Sequence, residues 1–291
     1  MKHVLIYFDA DKRPSPFDIL FAYDVGFDVV QTFSGVEKDE ITSLVQDAMF
    51  PRGPKGAKYT TFFFGGSDLD LVETLAKKAR KTTFPPFNMS IVVDPKGSHT
   101  TPSAIVAKVM EALSEQEEEL AGKKAAVLGG SGKVGRVATR ILASEGVEVL
   151  SFDVVEEVTQ IATDIAEECG GDVRGIVAET PEEIVEAAHD CDVVISAGPA
   201  GVEILPEASL AELTSCKAAA DVNAVPPTGL GGVEPSDDKE EKHAMVVIGA
   251  LAVGNLRNKL EGKLLETAME SKGAFLNYVD AFEFAKELVG V

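Results

Sequence analysis

The residues best suited to chemistry form a glycine pattern near the middle of the chain. Gly130, Ser131, Gly132, Lys133, Val134 and Gly135 give the spacing G-x-G-x-x-G, directly after a predicted strand at 124–128 and before a predicted helix. In that context the first glycine permits a tight turn, the second lets the backbone approach a pyrophosphate, and the third lets the helix pack on the strand. Backbone N–H groups and the helix dipole then attract phosphate groups. The pattern therefore predicts a dinucleotide-binding loop.

An acidic residue follows this loop at the distance that a ribose-binding carboxylate requires. Asp153 lies 18 residues beyond Gly135, at the end of a predicted strand at 147–152. A carboxylate in this place accepts hydrogen bonds from both ribose hydroxyls and repels a 2′-phosphate, and Val154 rather than an arginine comes next. The sequence therefore favours NAD over NADP as cofactor, while Lys133 is a nearby cation that leaves NADP possible.

Two later turns are predicted to lie at the same edge of the sheet. Ser196, Ala197 and Gly198 end a strand pattern at 193–197, and ligands of doubly wound sheets bind beyond the carboxyl ends of strands. These three residues are expected beside the nicotinamide ribose. Asn223 opens a long loop rich in proline and glycine. It is interpreted either as a cofactor or substrate contact or as ordinary turn chemistry.

Short apolar runs alternate with helical patterns along the chain and so predict the elements that position these residues. Strands are predicted at 4–8, 28–33, 59–64, 89–93, 124–128, 147–152, 173–177, 193–197, 218–222 and 244–248. Helices are predicted near 14–24, 39–49, 68–81, 101–120, 254–271 and 278–288, between or after these strands. Ser15 before Pro16, and Asp68, are predicted N-caps. The alternation predicts an α/β fold with mostly parallel sheets.

Gly122 marks the predicted border between two domains. Residues 1–121 are predicted to form an N-terminal α/β substrate domain, on which the helices at 254–291 pack back. Residues 122–253 are predicted to form a Rossmann-type, doubly wound parallel sheet, with a cleft between the two domains.

Composition argues against several classes of protein. The 291 residues carry 27 Lys and Arg against 48 Asp and Glu, a formal charge of −21, which disfavours nucleic acid as a partner. No apolar run reaches the roughly 18 residues of a membrane span, and the chain opens on a strand pattern rather than a signal peptide, so a cytoplasmic protein is expected. Cys169, Cys191 and Cys216 lack metal-ligand spacing and are interpreted as buried free thiols, with no metal site predicted. The acidic runs 115–119 and 237–241 are interpreted as a solvated helix face and a solvated loop.

Motifs spread along the chain resemble one family. In the first half they are Phe8-Asp9-Ala10-Asp11, Ser15, Phe17-Asp18, Tyr23-Asp24, Arg52-Gly53, Gly65-Gly66-Ser67-Asp68, and Asp94 with Gly97-Ser98-His99-Thr100-Thr101. In the second half they are the glycine loop, Ala197-Gly198, Ala220-Asp221-Val222-Asn223-Ala224, Pro226-Pro227 and Gly249-Ala250-Leu251. Together they resemble the NAD(P)-dependent methylenetetrahydromethanopterin dehydrogenases of one-carbon metabolism.

The resemblance implies an activity, an assembly and a substrate site. Family members oxidise the methylene bridge of a reduced pterin to the methenyl form by direct hydride transfer to NAD or NADP. They have two α/β domains beside a cleft and assemble as homotrimers or homohexamers. The residues that the resemblance assigns to the substrate are Ser15, Phe17, Asp18, Arg52, Asp94, Ser98, His99, Thr100 and Thr101. Arg257 and Lys259, expected at the opening of the penultimate helix, are implied as positioning or electrostatic cations.

This sequence departs from the family pattern at two positions. Asp153-Val154 stands where some NADP-preferring relatives carry an Arg-Lys pair, and His99 stands where relatives commonly carry an asparagine. The first departure supports NAD. The second leaves the role of residue 99 toward the pterin open.

Several alternatives remain at this stage. Asp18 and Thr101 are also suited to helix capping, Arg52 to a turn, and Arg257 and Lys259 to an exposed surface. A two-domain dehydrogenase of a hydroxy acid such as shikimate shares the layout but needs a lysine paired with an aspartate as general acid–base. A methylenetetrahydrofolate dehydrogenase and cyclohydrolase would need a lysine that activates water. A nucleotide sensor would bind NAD without chemistry.

Overall fold

The computed structural model describes all residues from Met1 to Val291. The chain divides into two compact units, one formed by residues 1–100 and 258–284 and the other by residues 101–257 and 285–291. No helix combines the length and the apolar character needed to cross a membrane.

The ten predicted strands occur in the predicted order, and the structure adds two further strands, Asp238–Lys242 and Phe275–Leu276. The strands are β1 (Val4–Asp9), β2 (Val29–Ser34), β3 (Thr60–Gly65), β4 (Ser90–Val93), β5 (Lys124–Leu128), β6 (Glu148–Asp153), β7 (Val173–Val177), β8 (Val193–Ser196), β9 (Ala218–Asp221), β10 (Asp238–Lys242), β11 (Met245–Ile248) and β12 (Phe275–Leu276). The helices are α1 (Pro16–Val25), α2 (Ile41–Ala57), α3 (Leu69–Thr82), α4 (Thr100–Ser114), α5 (Lys133–Ser144), α6 (Glu157–Cys169), α7 (Pro181–Ala188), α8 (Glu207–Glu212), α9 (Ala250–Glu270) and α10 (Tyr278–Val289).

The first unit is built on a parallel sheet with strand order β12-β4-β3-β1-β2. Side chains of a strand alternate between the two faces, so β3 places Phe62 and Phe64 in one apolar cluster and Phe63 in the other. Both clusters are buried, which explains why these strands read as continuous apolar runs. The chain order reverses between β1 and β3, so the carboxyl ends of these two strands form the switch point of the sheet.

The second unit is built on a seven-stranded sheet with strand order β10-β11-β9-β8-β5-β6-β7. Counted from β5, its six parallel strands have the order 3-2-1-4-5-6 of the Rossmann fold, and β10 adds an antiparallel edge. The predicted fold class, α/β with a Rossmann-type parallel sheet, is confirmed. The switch point here lies between β5 and β8.

The boundary between the units differs from the predicted border at residue 121, because α4 belongs with the second unit beyond Thr100. Lys108 on α4 pairs with Glu111 at 2.7 Å and with Asp238 of β10 at 2.8 Å, so a charged network ties this helix to the edge strand. At the other end, residues 258–284 belong to the first unit, where Leu264 and Leu265 pack in the cluster of Tyr7. The last seven residues return to the second unit.

The acidic segments differ from their predicted state. The predicted helix at 101–120 ends at Ser114, so residues 115–119 lie beyond it and Glu118 pairs with Lys123 and Lys217 instead of facing solvent on a helix. The acidic run at 237–241 lies largely in strand β10, which forms a hairpin with β11. The two residues of the turn, His243 and Ala244, both have positive φ, as a tight two-residue turn requires. A run of charged residues has no alternating apolar pattern that would predict a strand. Residues 238–242 form a strand because they pair with β11.

The three cysteines are free, and two of them lie in the core. Burial raises the pKa of both the Cys191 thiol and the Cys216 thiol to about 12, so neither forms a reactive thiolate near neutral pH. The prediction of buried thiols is confirmed for these two, while Cys169 is partly exposed.

Thiol labelling checks this arrangement. With a disulfide reagent at pH 8, we expect at most one thiol, that of Cys169, to react in the native protein and all three to react in guanidinium chloride. A Cys169→Ser variant should then show no native labelling. Two or more reactive thiols in the folded protein would contradict the burial of Cys191 and Cys216.

Candidate dinucleotide and substrate sites

The second unit contains a cavity of about 530 Å³ at the carboxyl ends of β5, β6 and β8. This volume lies within the range of small-molecule sites. The cavity is lined by Leu128, Gly129, Ser131, Gly132, Lys133, Val134, Phe152, Asp153, Val154, Ala178, Ile184, Ala197, Gly198, Pro199, Val202, Ile204 and Val222. The structure thus brings most of the predicted dinucleotide residues to one cavity.

The glycine loop has the close contacts that the pattern predicts, with one change of role. The left-handed residue of the tight turn is Gly129, with φ of +82°, and not Gly130 as predicted. A glycine is needed at position 130 for a steric reason instead, because a Cβ there would lie 1.9 Å from Ser151 Oγ. A Cβ at Gly135 would lie 2.2 Å from the carbonyl oxygen of Gly129, so only glycine lets α5 approach the loop this closely. Gly132 is the N-cap of α5. Because glycine has no side chain, no side-chain cap accepts from the N–H groups in the first turn of this helix.

Asp153 ends β6 and turns its carboxylate toward the glycine loop. Its Oδ2 atom accepts hydrogen bonds from the backbone N–H of Ser131 at 3.1 Å and from the Ser131 hydroxyl at 2.5 Å. Its Oδ1 atom accepts from the N–H of Val154 at 2.8 Å. The side chain lines the cavity, in the place where a ribose-binding acid is expected.

The two later turns have different roles. Ala197 and Gly198 line the cavity, whereas Ser196 is fully buried at the end of β8 and does not. Asn223 also lies outside the lining. Its Oδ1 atom accepts from the N–H groups of Gly201 and Val225, at 3.3 Å and 3.0 Å, so its amide is used within the protein. The amide of Asn223 therefore positions the backbone around it, and its role as a direct cofactor or substrate contact stays a prediction.

Asp221 is a second positioning residue, at the end of β9. Its buried carboxylate accepts from the backbone N–H groups of Asn223 at 2.9 Å and of Leu230 at 3.0 Å, and so joins two ends of the loop after β9. Burial raises the pKa of this carboxyl above its usual range. The sequence motif named this residue, but only the structure shows what its carboxylate holds.

In the first unit, a buried polar cluster lies at the switch point between β1 and β3. The Tyr7 hydroxyl lies 2.7 Å from Asp9 Oδ2 and 2.8 Å from Asp18 Oδ2, and a Cβ at Gly65 would collide with it. Burial, together with these two carboxylates, raises the pKa of Tyr7. Ser15 is the N-cap of α1, since its Oγ accepts from the N–H of Asp18, so Asp18 lies in the first turn and is not the cap.

A lysine that the sequence reasoning missed stands beside this cluster. Lys96 has a left-handed backbone with φ of +49°, and its Nζ lies 2.5 Å from Asp11 Oδ2 and 2.9 Å from Ser67 Oγ. These residues follow β4, β1 and β3 respectively, so no local spacing links them. The carboxyl ends of parallel strands meet at one edge of the sheet. Charged and polar residues that directly follow different predicted strands are therefore the sequence signal for such a cluster.

The residues after β4 mostly build their own turn. Asp94 is buried and accepts from the N–H groups of His99 and Thr100, at 2.9 Å and 3.3 Å, and from the Thr100 hydroxyl at 2.7 Å. It therefore caps α4. Ser98 is fully buried and donates to the carbonyl of Pro95.

His99 is turned into the first unit and not toward solvent. Its ring is buried, with Nδ1 at 2.8 Å from the carbonyl oxygen of Val93 and Nε2 at 3.3 Å from Glu73. The ring of Tyr278 packs edge-on against it. The side chains of Asp94, Ser98, His99 and Thr100 thus support this turn, whereas Thr101 is half-buried. Their roles as substrate contacts stay predictions.

Substitution of Asp94 distinguishes support from substrate contact. We expect Asp94→Ala to lower the free energy of unfolding by about 3 kcal/mol, because it removes the cap of α4 and leaves buried donors unpaired. Asp94→Asn, which keeps one acceptor oxygen, should cost less than half of that. Urea denaturation measures both. If both variants keep wild-type stability and lose only affinity for substrate, the capping role is wrong.

The remaining predicted residues fall in three places. Arg52 donates to Thr60 Oγ1 at 2.8 Å and to the carbonyl of Lys2 at 2.9 Å, which lie at the amino ends of β3 and β1, opposite to the switch point. The contacts of Arg52 are thus structural ones at the amino edge of the sheet, and its role as a substrate cation stays a prediction. Phe17 is 42% exposed and stacks on Phe21. Arg257 and Lys259 do not open a helix, because α9 begins at Ala250, and Lys259 is exposed.

The strand order of the second sheet, the glycine loop and the acid after β6 define a dinucleotide-binding protein of the Rossmann class. A crystal structure of shikimate 5-dehydrogenase from Listeria monocytogenes has a similar fold, with a TM-score of 0.51 and 16% identity over 99% of this chain and 96% of that one. At this identity the likeness shows the fold alone.

Sequence comparison gives the family. Residues 16–96 match the model described as methylene-tetrahydromethanopterin dehydrogenase, N-terminal. Over 285 residues, 96% of each chain, the protein is 36% identical to the NAD(P)-dependent methylenetetrahydromethanopterin dehydrogenase of Methylorubrum extorquens. It is also 34% identical, over 99% of each chain, to the bifunctional protein MdtA of that organism. The chain belongs to the methylenetetrahydromethanopterin dehydrogenase family, and the resemblance found in its motifs is confirmed.

Proposed function

We propose that this protein oxidises methylene-tetrahydromethanopterin to the methenyl form and transfers the hydride to NAD(P), with NAD preferred. The observation that carries the proposal is the similarity over nearly the whole chain to a relative with that named activity. The cavity with its glycine loop and Asp153 supplies a matching dinucleotide site. The second unit is then the cofactor domain and the first unit the pterin domain.

The chemistry fits a site without a general base. Loss of hydride from a carbon between two nitrogens gives a resonance-stabilised cation directly, so no proton has to be removed. The protein's task is to orient two rings and to support developing positive charge. The switch point of the first sheet carries three carboxylates, those of Asp9, Asp11 and Asp18, against the single ammonium group of Lys96, and this excess of negative charge suits a developing cation. The ring of Phe17 is 42% exposed and suits stacking on a pterin.

The preference for NAD rests on charge at the end of β6. Asp153 lines the cavity, and the residue after it is the exposed, apolar Val154. A 2′-phosphate placed there would meet a carboxylate without an adjacent arginine to pair with it. Lys133, which also lines the cavity, is the cation that would permit some use of NADP.

Lys96 bears on the hydroxy-acid alternative. Oxidation of an alcohol needs a group that accepts its proton, and a lysine paired with an aspartate serves this purpose only when the lysine is readily deprotonated. The hydrogen bond to Asp11 raises the pKa of Lys96, so this ammonium group stays charged at neutral pH. The pair supports a role in electrostatics and positioning and disfavours proton abstraction.

A cytoplasmic homotrimer or homohexamer without nucleic-acid partners remains part of the proposal. The family resemblance and the net charge of −21 support it. Leu20 and Tyr23 on α1 are 63% and 49% exposed, which fits burial between subunits.

Initial-rate formation of NADH from methylene-tetrahydromethanopterin tests the function. Parallel reactions use NADP as cofactor and the folate analogue as substrate. We expect rapid NADH formation that is selective for the methanopterin, with a methenyl product. Formyl product would indicate an added cyclohydrolase activity. NAD binding without turnover of either pterin would contradict the proposal and favour a hydroxy-acid dehydrogenase or a nucleotide sensor.

A further inference from the structure

We propose that Ser131 sets how strictly the cofactor site distinguishes NAD from NADP, by competing with the adenosine ribose for Asp153. This inference rests on the proposed function for the identity of the cofactor and adds a specificity-determining residue to the same site. Both side chains line the same cavity, so a bound nucleotide meets them together.

The Asp153 carboxylate is already largely occupied within the protein. A carboxylate has about four acceptor positions on its two oxygens. Three donors already use it, namely the N–H and the hydroxyl of Ser131 on Oδ2 and the N–H of Val154 on Oδ1. A ribose that donates through both its 2′- and 3′-hydroxyls needs two positions, so one existing donor must be displaced.

The three donors to Asp153 differ in how easily a ribose can displace them. The N–H groups of Ser131 and Val154 belong to the backbone of the loop and of the residue after β6, and their displacement would move the chain. The Ser131 hydroxyl turns about one side-chain bond and is therefore the donor that a ribose displaces at least cost. The hydrogen bond between Ser131 and Asp153 is thus an interaction that NAD has to break.

A 2′-phosphate would meet the same two side chains in a different way. Such a phosphate cannot donate to Asp153, and Val154 offers it no charged partner. The Ser131 hydroxyl, once it turns from Asp153, is a donor next to the position that the phosphate would take. It can donate to a phosphate oxygen, and a hydrogen bond to a charged acceptor is stronger than one between neutral groups. Ser131 therefore weakens NAD binding slightly and supports NADP binding.

Direct binding measurements with Ser131→Ala test this role. We expect the Kd of NADPH, followed by its fluorescence, to rise about tenfold, because a donor to a charged group is lost. The Kd of NADH should fall about twofold to threefold, because no hydroxyl has to be displaced. The selectivity for NADH over NADPH should therefore rise by more than tenfold, without any change in the glycines of the loop.

Two control variants separate this role from a merely structural one. Ser131→Thr keeps the hydroxyl and should restore the wild-type ratio of the two Kd values. Val134→Ala alters the same cavity without a polar group and should change both Kd values in parallel. A circular dichroism melt of each variant checks that the fold is retained.

The outcomes are distinct. Parallel changes of the two Kd values in Ser131→Ala, or an unchanged NADPH affinity, would overturn the inference even if the enzyme oxidises methylene-tetrahydromethanopterin. The expected shift in ratio, in a protein that turns over no pterin, would support the inference and remove the proposed function. Absence of binding of either nucleotide to the wild-type protein would overturn both.

Discussion

Gly135→Ala is expected to weaken dinucleotide binding at least a hundredfold. The added Cβ would lie 2.2 Å from the carbonyl oxygen of Gly129 and 2.9 Å from the Cα of Gly130, and both are backbone atoms that no side-chain rotation moves. The helix α5 must then retreat from the loop, which displaces the N–H groups that face the pyrophosphate. Overpacking of this kind also costs about 1–3 kcal/mol of stability. Titration with NADH and urea denaturation measure the two effects.

A glycine with free space around it provides the control. Gly254 lies within α9, and no atom of the surrounding structure lies within 4 Å of a Cβ placed there. Gly254→Ala should therefore leave NADH affinity unchanged and stabilise the protein by about 0.5–1 kcal/mol through helix propensity. If Gly135→Ala binds NADH as tightly as the wild type does, the close approach of helix and loop is not required for binding.

Asp153→Arg is expected to reverse the cofactor preference. In the proposed site, Asp153 accepts hydrogen bonds from both ribose hydroxyls, and an arginine in its place would pair with a 2′-phosphate. NAD should therefore lose two hydrogen bonds, while NADP gains a charged partner. Each hydrogen bond to a charged group contributes about 1.5–3 kcal/mol, so the loss of two should lower kcat/KM for NAD at least a hundredfold. The ratio of NADP to NAD efficiency should rise by a larger factor. Initial rates with both cofactors give this ratio.

The matched control changes the net charge by the same amount at a distant place. Asp172 is exposed just before the amino end of β7, at the edge of the sheet opposite to the cavity. Asp172→Arg should leave both cofactor efficiencies within about twofold of the wild type, because exposed charges at this distance are screened. Equal losses for NAD and NADP in Asp153→Arg would show that Asp153 does not contact the ribose.

Local patterns predicted most of the fold and the cofactor half of the candidate site. The glycine loop depends on steric demands within a few residues, and Asp153 follows from the length of one helix and one strand, so a short window of sequence carries both. Apolar runs located ten of the twelve strands, and the two that were missed show why the others were found. β12 has only two residues, and β10 is a run of charges that becomes a strand by pairing with β11.

The sequence did not show where the side chains of the proposed substrate half are directed, because the direction of a side chain depends on distant packing. The types of Asp94 and His99 suit ligand binding, yet the chain turns both inward to support α4 and the turn before it. Arg52 suits an anion, yet the return of α2 places it at the amino edge of the sheet.

The sequence by itself determined the family, the order of helices and strands, the phosphate-binding loop and its acid, since these are encoded in local spacing and in motifs spread along the chain. Only the tertiary structure decided that Lys96 meets Asp11 and Ser67, and that the Asn223 side chain accepts from the backbone of Gly201 and Val225. The physical reason is the parallel sheet. A parallel sheet places next to each other the ends of strands that are far apart in the chain. Contacts between residues at those ends therefore depend on strand order and not on sequence spacing.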